Sequence, residues 1–396
     1  MLVLVRLALI LPLYFYTAIN ANEINAVNNE DRMSTSAVTF QLPLENLLNV
    51  LYYARISIGS PPSTFRLAVD TGSHVTWVTK AGCKDSKNKN KTCRSPRFYE
   101  PQKSATAAFY DIHDTHDGYS LIYSDSTRVS LEHRKDEVIL GYPIDGFRLK
   151  APVPFAAAVM RSDSNYSRAD GILGLSKKAF SPSFIENVLD DNFSQSVFTL
   201  YFRHCATETC VDSGHLTFGG FDYLHCEDDY EWIPADTSNG KWHIQVESFS
   251  VGSAVARNFT ALSDSGTSRN YMPSEFLSAF YKELGAEKDG KYYFMRCDST
   301  AEVEFTINGR QYSMAIQNFF FYLGILRGEE YCALATFDRN RWVFGTSMFR
   351  EFCHVYDLKN ERLGLAKIRK FNELYGVGKL WVTQSRVVQV GVRTFG

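Results

Sequence analysis

The sequence predicts an all-β protein built from two related lobes. Between residues 38 and 366, short apolar runs such as FRLAVDTG, VFTLYF and HLTFGGF alternate with Gly, Pro, Asp and Ser turns. Period-2 alternation with turn signals about every ten residues is the mark of strands joined by tight connections. Composition agrees: 29 Phe and 22 Tyr accompany few helical patterns, and aromatic side chains suit a pleated, half-buried surface. An internal repeat divides the chain. Residues 65–78 read FRLAVDTGSHVTWV and residues 259–272 read FTALSDSGTSRNYM. Each is followed much later by apolar residues ending in Gly, at 172–174 and 342–345. D-[ST]-G-[ST] is expected by chance only about 0.02 times in such a chain at average usage. Two copies in matching contexts indicate a duplicated lobe. A partial third match, Asp212-Ser213-Gly214-His215, lacks the last hydroxyl residue and the preceding strand, and reads as a hairpin turn.

The 396 residues suffice for two or three units at about 150 residues each. A hydrophobic share of 45% and a charged share of 22% exclude a disordered or fibrous chain. A net charge of −2 gives no basic excess for nucleic acid and no acidic tail for a basic partner. Residues 1–21 carry one Arg in a largely apolar run ending in small and polar residues, the pattern of a signal peptide. An uncleaved anchor is the rival, and Pro12 with the short apolar core argues for cleavage. No later stretch offers 18 apolar residues, so no membrane span is expected after signal removal. Residues 22–43 read as a leader or short prosegment, 44–222 as an N-terminal lobe, 223–366 as a C-terminal lobe, and 367–396 as a tail without an assigned role. Eight cysteines and the sequons at Asn90, Asn165, Asn192 and Asn258 fit a glycoprotein of the secretory pathway, secreted or lysosomal.

The repeated motif carries the chemistry. An Asp at a strand end, then Thr or Ser and Gly, makes a tight turn in which Gly allows close backbone approach. Hydroxyls and N–H groups can then fix the carboxylate. If the two turns meet across an approximate two-fold axis, Asp70 and Asp264 face each other. Two carboxylates about 3 Å apart repel by roughly 5 kcal/mol at an effective dielectric of 20. That corresponds to about four pKa units, so the pair holds one shared proton and titrates as a unit. Its ionised member can deprotonate a water. Its protonated member can polarise a carbonyl and later feed a proton to a leaving amine.

The chain resembles the pepsin-like aspartic proteases from about Leu44 to Ala366. The landmarks are YARISIGSPP, VDTGS, Trp77, RFYEPQKSAT, Tyr123, ADGILGLS, FGGFD, KWHIQV, LSDSGTS, FTINGRQY, WVFGTSMF and VYDLKNERLGLA. Dyads of that family are the standing example of two acids sharing one proton. The resemblance implies a bilobal pepsin-like fold with a central cleft, and Asp70 and Asp264 as catalytic carboxylates. It also implies Thr71, Gly72, Ser73, Ser265, Gly266 and Thr267 as their support, and a flap whose tip Tyr123 bonds towards Trp77. The chain departs from the family at the flap, where Ser124, Asp125, Ser126 and Thr127 replace the usual glycine-containing tip. Asp125 is expected near substrate, favouring basic side chains there. His74 stands where a small residue is common, and residues 22–41 carry one basic residue, Arg32, where family prosegments are basic.

The resemblance also implies the disulfides Cys83–Cys93 and Cys297–Cys332. Three pairings remain for Cys205, Cys210, Cys226 and Cys353. A hairpin of VFTLYF with HLTFGG favours Cys205–Cys210 with Cys226–Cys353; Cys205–Cys353 is the rival. Phe155 reads either as a cleft residue or as a core aromatic. His113 and His116 read as a solvated loop rather than a metal site. The expected function is an aspartic endopeptidase acting through activated water on a polypeptide substrate, as a monomer, with no cofactor or metal. A catalytically weak or inactive peptide-binding relative is the alternative.

Overall fold

The computed structural model describes residues 38–110, 119–123, 126–162, 168–177, 183–205, 213–326 and 329–369. Strands dominate it, as the sequence predicts. In the N-terminal half, strand Leu51–Ile58 pairs antiparallel with Ser63–Asp70, from Tyr53↔Ala68 to Ile58↔Ser63. Ser63–Asp70 then runs parallel to Gly171–Gly174, which brings Gly174 beside Asp70. Gly171–Gly174 also pairs antiparallel with Trp77–Asp85, the strand after the first motif. The second half repeats this arrangement. Ala254–Ser263, which leads into Asp264, runs parallel to Trp342–Phe344. Trp342–Phe344 in turn pairs antiparallel with Asn270–Met272, the strand after the second motif. The apolar runs ending in glycine are thus the strands that hold each aspartate turn from behind.

Around the first turn, Trp77–Asp85 runs parallel to Val153–Arg161, which is antiparallel to Arg128–Asp136. Arg128–Asp136 continues into a hairpin with Tyr119–Ile122, the flap. The base of this hairpin is anchored by a buried charge. The Asp136 carboxylate accepts from Tyr99 Oη (2.8 Å), Ser104 Oγ (3.0 Å), Thr106 Oγ1 (2.6 Å) and Glu137 N–H (2.9 Å). A carboxylate this enclosed is tolerated because donors replace its water.

A further antiparallel sheet joins the halves. Its order is Phe40–Leu47, Gly214–Phe218, Val197–Phe202, Phe352–Asp357, Arg362–Lys367 and Trp232–Asp236. Its first strand includes Phe40–Pro43, residues the sequence assigns to the leader. One buried apolar cluster runs through both halves, from Leu42 and Leu67 to Phe305 and Leu365. Two helices of nine and ten residues accompany the strands. Phe184–Asn192 starts where Ser183 and Glu186 form a reciprocal capping box, and Ser274–Glu283 follows Pro273.

Among the described residues three disulfides are present: Cys83–Cys93, Cys226–Cys353 and Cys297–Cys332. The second excludes the rival Cys205–Cys353. Val197–Phe202 and Gly214–Phe218 form the expected hairpin, and Cys210 lies outside the described residues, as do Asn165, His113 and His116. Two expectations require correction. Phe155 is a core residue, 5% exposed with its ring edge-on to Tyr99, because its strand turns it inward; it does not line the cleft. Asn192 is unsuited to a glycan. It is 7% exposed, its Nδ2 donates to Val188 O (2.9 Å), and its Oδ1 accepts from Lys150 N–H (2.8 Å). Asn90 and Asn258 are exposed. Glycopeptide mapping of folded protein from a eukaryotic secretory host is therefore expected to find Asn192 unmodified. Full occupancy there would contradict the placement of this side chain.

Candidate active site

The two aspartate turns meet at the centre of the molecule through reciprocal contacts. Thr71 N–H donates to Ser265 Oγ (3.0 Å), and Ser265 N–H donates to Thr71 Oγ1 (2.9 Å). Each hydroxyl in turn donates to the carbonyl preceding the opposite aspartate: Thr71 Oγ1 to Ser263 O and Ser265 Oγ to Val69 O, both 3.0 Å. Every polar atom in this exchange is buried and partnered. Each bond contributes about 1 kcal/mol net, and an orphaned partner would cost about 1–3 kcal/mol.

Glycine is required beside the exchange. A Cβ on Gly72 would stand 2.6 Å from the Asp264 carboxyl carbon, and one on Gly266 would stand 2.4 Å from Asp70 Oδ1. The backbone of each motif therefore lies against the carboxylate of the other, and the two carboxyl groups are in hydrogen-bonding contact.

Their surroundings differ. Asp70 Oδ1 accepts from Gly72 N–H (2.8 Å) and Oδ2 from Ser73 Oγ (2.8 Å). Asp264 Oδ1 accepts from Gly266 N–H (3.0 Å). Thr267, expected to mirror Ser73, gives Asp264 no hydroxyl bond among those of the described residues. Burial raises the pKa of both carboxyls. For Asp70 the rise is opposed by Ser73 and Gly72. For Asp264 it is reinforced by the negative charge of Asp70. The two hydrogen bonds on Asp70 favour ionisation there, and the charge of Asp70 favours the proton on Asp264.

Behind the dyad, Tyr356 Oη lies 2.9 Å from Ser263 Oγ, and the Trp242 ring packs edge-on to Tyr356. In front is the flap. Trp77 Nε1 donates to Tyr123 Oη (2.7 Å), and Trp77 itself is buried beneath. The tip turns through Ser126 N–H to Tyr123 O (2.9 Å), with Ser126 at φ 69°. A side chain in this left-handed region costs about 1 kcal/mol relative to glycine, so loss of the usual glycine leaves local strain at the tip. Asp125 and Ser124 lie outside the described residues. Between flap and dyad is a cleft of about 460 Å³ that reaches Asp70, Asp264 and Tyr123. The sequence did not point to Lys241, Arg269 and Arg341, which also line it. The available signal was register: in the hairpin that leads to Asp264, His243 stands opposite Leu262, which carries Lys241 towards the dyad.

Residues 51–368 match the model of the eukaryotic aspartyl protease family, and the chain belongs to that family. Among curated relatives it is 29% identical to gastricsin of Cavia porcellus over 81% of this chain and 80% of the relative. It is 28% identical to pregnancy-associated glycoprotein 2 of Bos taurus, over 82% and 84% respectively. With cathepsin E of Mus musculus the identity is 26%, over 82% of each chain.

The electrostatic asymmetry gives an expected outcome. Ser73→Ala removes a hydrogen bond to a buried charge, worth about 1.5–3 kcal/mol, or about one to two pKa units. Asp70 then ionises at higher pH. Titration of the variant should show the lower pKa of the pair displaced upward by about one unit. An unmoved lower pKa would contradict the assignment of the ionised member.

Proposed function

We propose that the protein is an aspartic endopeptidase. The observation that carries this reading is the pair of buried carboxyls in contact, with Ser73 Oγ and Gly72 N–H bonded to one of them, Asp70. Asp70 accepts a proton from a water while the water oxygen bonds to the scissile carbonyl carbon. Asp264 gives its proton to the carbonyl oxygen, which yields a gem-diol. As the C–N bond breaks, the proton taken up by Asp70 passes to the amine nitrogen, and one diol proton returns to Asp264. The dyad ends as it began, with a carboxylic acid and an amine released. Ser73 and Gly72 hold the base. The flap, through Tyr123 and its bond to Trp77, shields the reaction from bulk water.

Membership of the family supports a polypeptide substrate, and the open cleft beneath a hairpin suits an extended chain. We place the protein in the secretory pathway, as a secreted or lysosomal monomer, on the disulfides and the N-terminal apolar run. Among the described residues no helix is long and apolar enough to cross a membrane.

The test is hydrolysis of an unstructured protein between pH 3 and 7 by processed wild type, Asp70→Asn and Asp264→Asn. Wild-type activity should fall on the acid side as Asp70 is protonated and on the alkaline side as Asp264 loses its proton. Each variant should lose about a thousandfold in kcat. Activity surviving in either variant would overturn the mechanism. A folded wild type that binds peptides without turnover would identify a binding relative instead.

A further inference from the structure

The two walls of the cleft are chemically unlike. The wall from the N-terminal half presents Leu47, Leu51, Val75, Leu121 and Ile122. The opposite wall presents Lys241, Arg269 and Arg341. Among the described residues, the carboxylates lining the cleft are those of Asp70 and Asp264.

Backbone register fixes the position of these cations. The Trp242 carbonyl accepts from Ser263 N–H (2.9 Å), so Lys241 stands one step further on, opposite Asp264. Its charge reaches both members of the dyad, favouring their ionised forms. Trp342 is paired with Ala261, which sets Arg341 on the same side. The cleft continues there into a depression of about 480 Å³ lined by Lys241, His243 and Arg341, with no carboxylate in its lining among the described residues. The nearby Asp236 acts on His243. At the other side His74 Nδ1 packs close to Gly240. Arg269 lies over the Phe337 ring, 4.3 Å from its centroid. Among the described residues, Lys241 and Arg341 form no ion pair.

We propose that Lys241 and Arg341 form a specificity site for an acidic side chain of the substrate, adjoining the scissile bond on the C-terminal-half side. This rests on the peptidase reading. An extended peptide turns successive side chains to opposite faces. An acidic residue facing the basic wall therefore has apolar neighbours facing the other wall. Two like charges lining one cleft repel each other. A substrate carboxylate between them relieves this and gains charge-assisted bonds.

The experiment uses peptides identical except for Glu, Gln or Lys at one position, stepped through the residues flanking the scissile bond. Wild type and Lys241→Leu/Arg341→Ser are compared by kcat/KM. The same peptides are titrated by fluorescence anisotropy against full-length Asp70→Asn. At one position wild type should prefer Glu over Gln about tenfold near pH 6, with Lys poorest. The preference should shrink below about pH 4.3, where the substrate carboxyl itself becomes protonated, and should weaken with added salt. The double variant should show a Glu/Gln ratio within about twofold of unity. A wild-type ratio near one at every position would overturn the proposal. So would a ratio that survives the double substitution while only the pH profile moves, since the cations would then act on the dyad alone. If no peptide is cleaved, the peptidase reading fails separately, and the Glu/Gln difference in binding still decides this site.

Discussion

Everything in the cleft depends on the reciprocal grip between Thr71 and Ser265. Four buried hydrogen bonds cross between the aspartate turns. Together they contribute roughly 2–6 kcal/mol, similar to the repulsion of about 5 kcal/mol between two ionised carboxylates in contact. The inter-half sheet adds to the hold on both sides. Separation of the turns is therefore the costlier response to the repulsion, and retention of a proton the cheaper one. Gly72 and Gly266 remove the steric barrier to this approach. The shared proton is thus a consequence of packing, and the acid–base chemistry follows from it.

A duplicated scaffold gives two similar carboxyls, and small differences between them assign their roles. Ser73 bonds Asp70, whereas Asp264 receives no corresponding hydroxyl bond among the described residues and lies against the charge of its partner. The symmetric fold brings the acids together, and the asymmetric second layer separates their proton affinities. Lys241 adds a field common to both. The same cation thus stands where it can act on the reacting pair and meet an incoming peptide.

Much of this was legible from the chain because the duplication repeats a local pattern. The strands entering and leaving each turn, the glycine-ended strands behind them and the hairpin of Val197–Phe202 with Gly214–Phe218 all follow from alternation and turn residues. The bond of Trp77 to Tyr123 was reached through family likeness rather than spacing. What stayed hidden depends on which way a side chain turns after long-range pairing. Phe155 could face cleft or core until its strand was set against Arg128–Asp136. Asn192 carries a proper sequon, yet the Lys150 backbone closes over its amide from 42 residues away. The basic wall draws residues from positions 241, 269 and 341, and no local motif unites them.

The central claim is best tested by carbon-13 NMR of the full chain labelled at the aspartate carboxyl carbons. Single Asp→Asn variants at positions 70 and 264 would assign the two resonances. The account predicts one protonated and one ionised carboxyl coexisting across several pH units, with the proton on Asp264. Two resonances titrating together near the ordinary aspartate pKa of about 3.9 would contradict it.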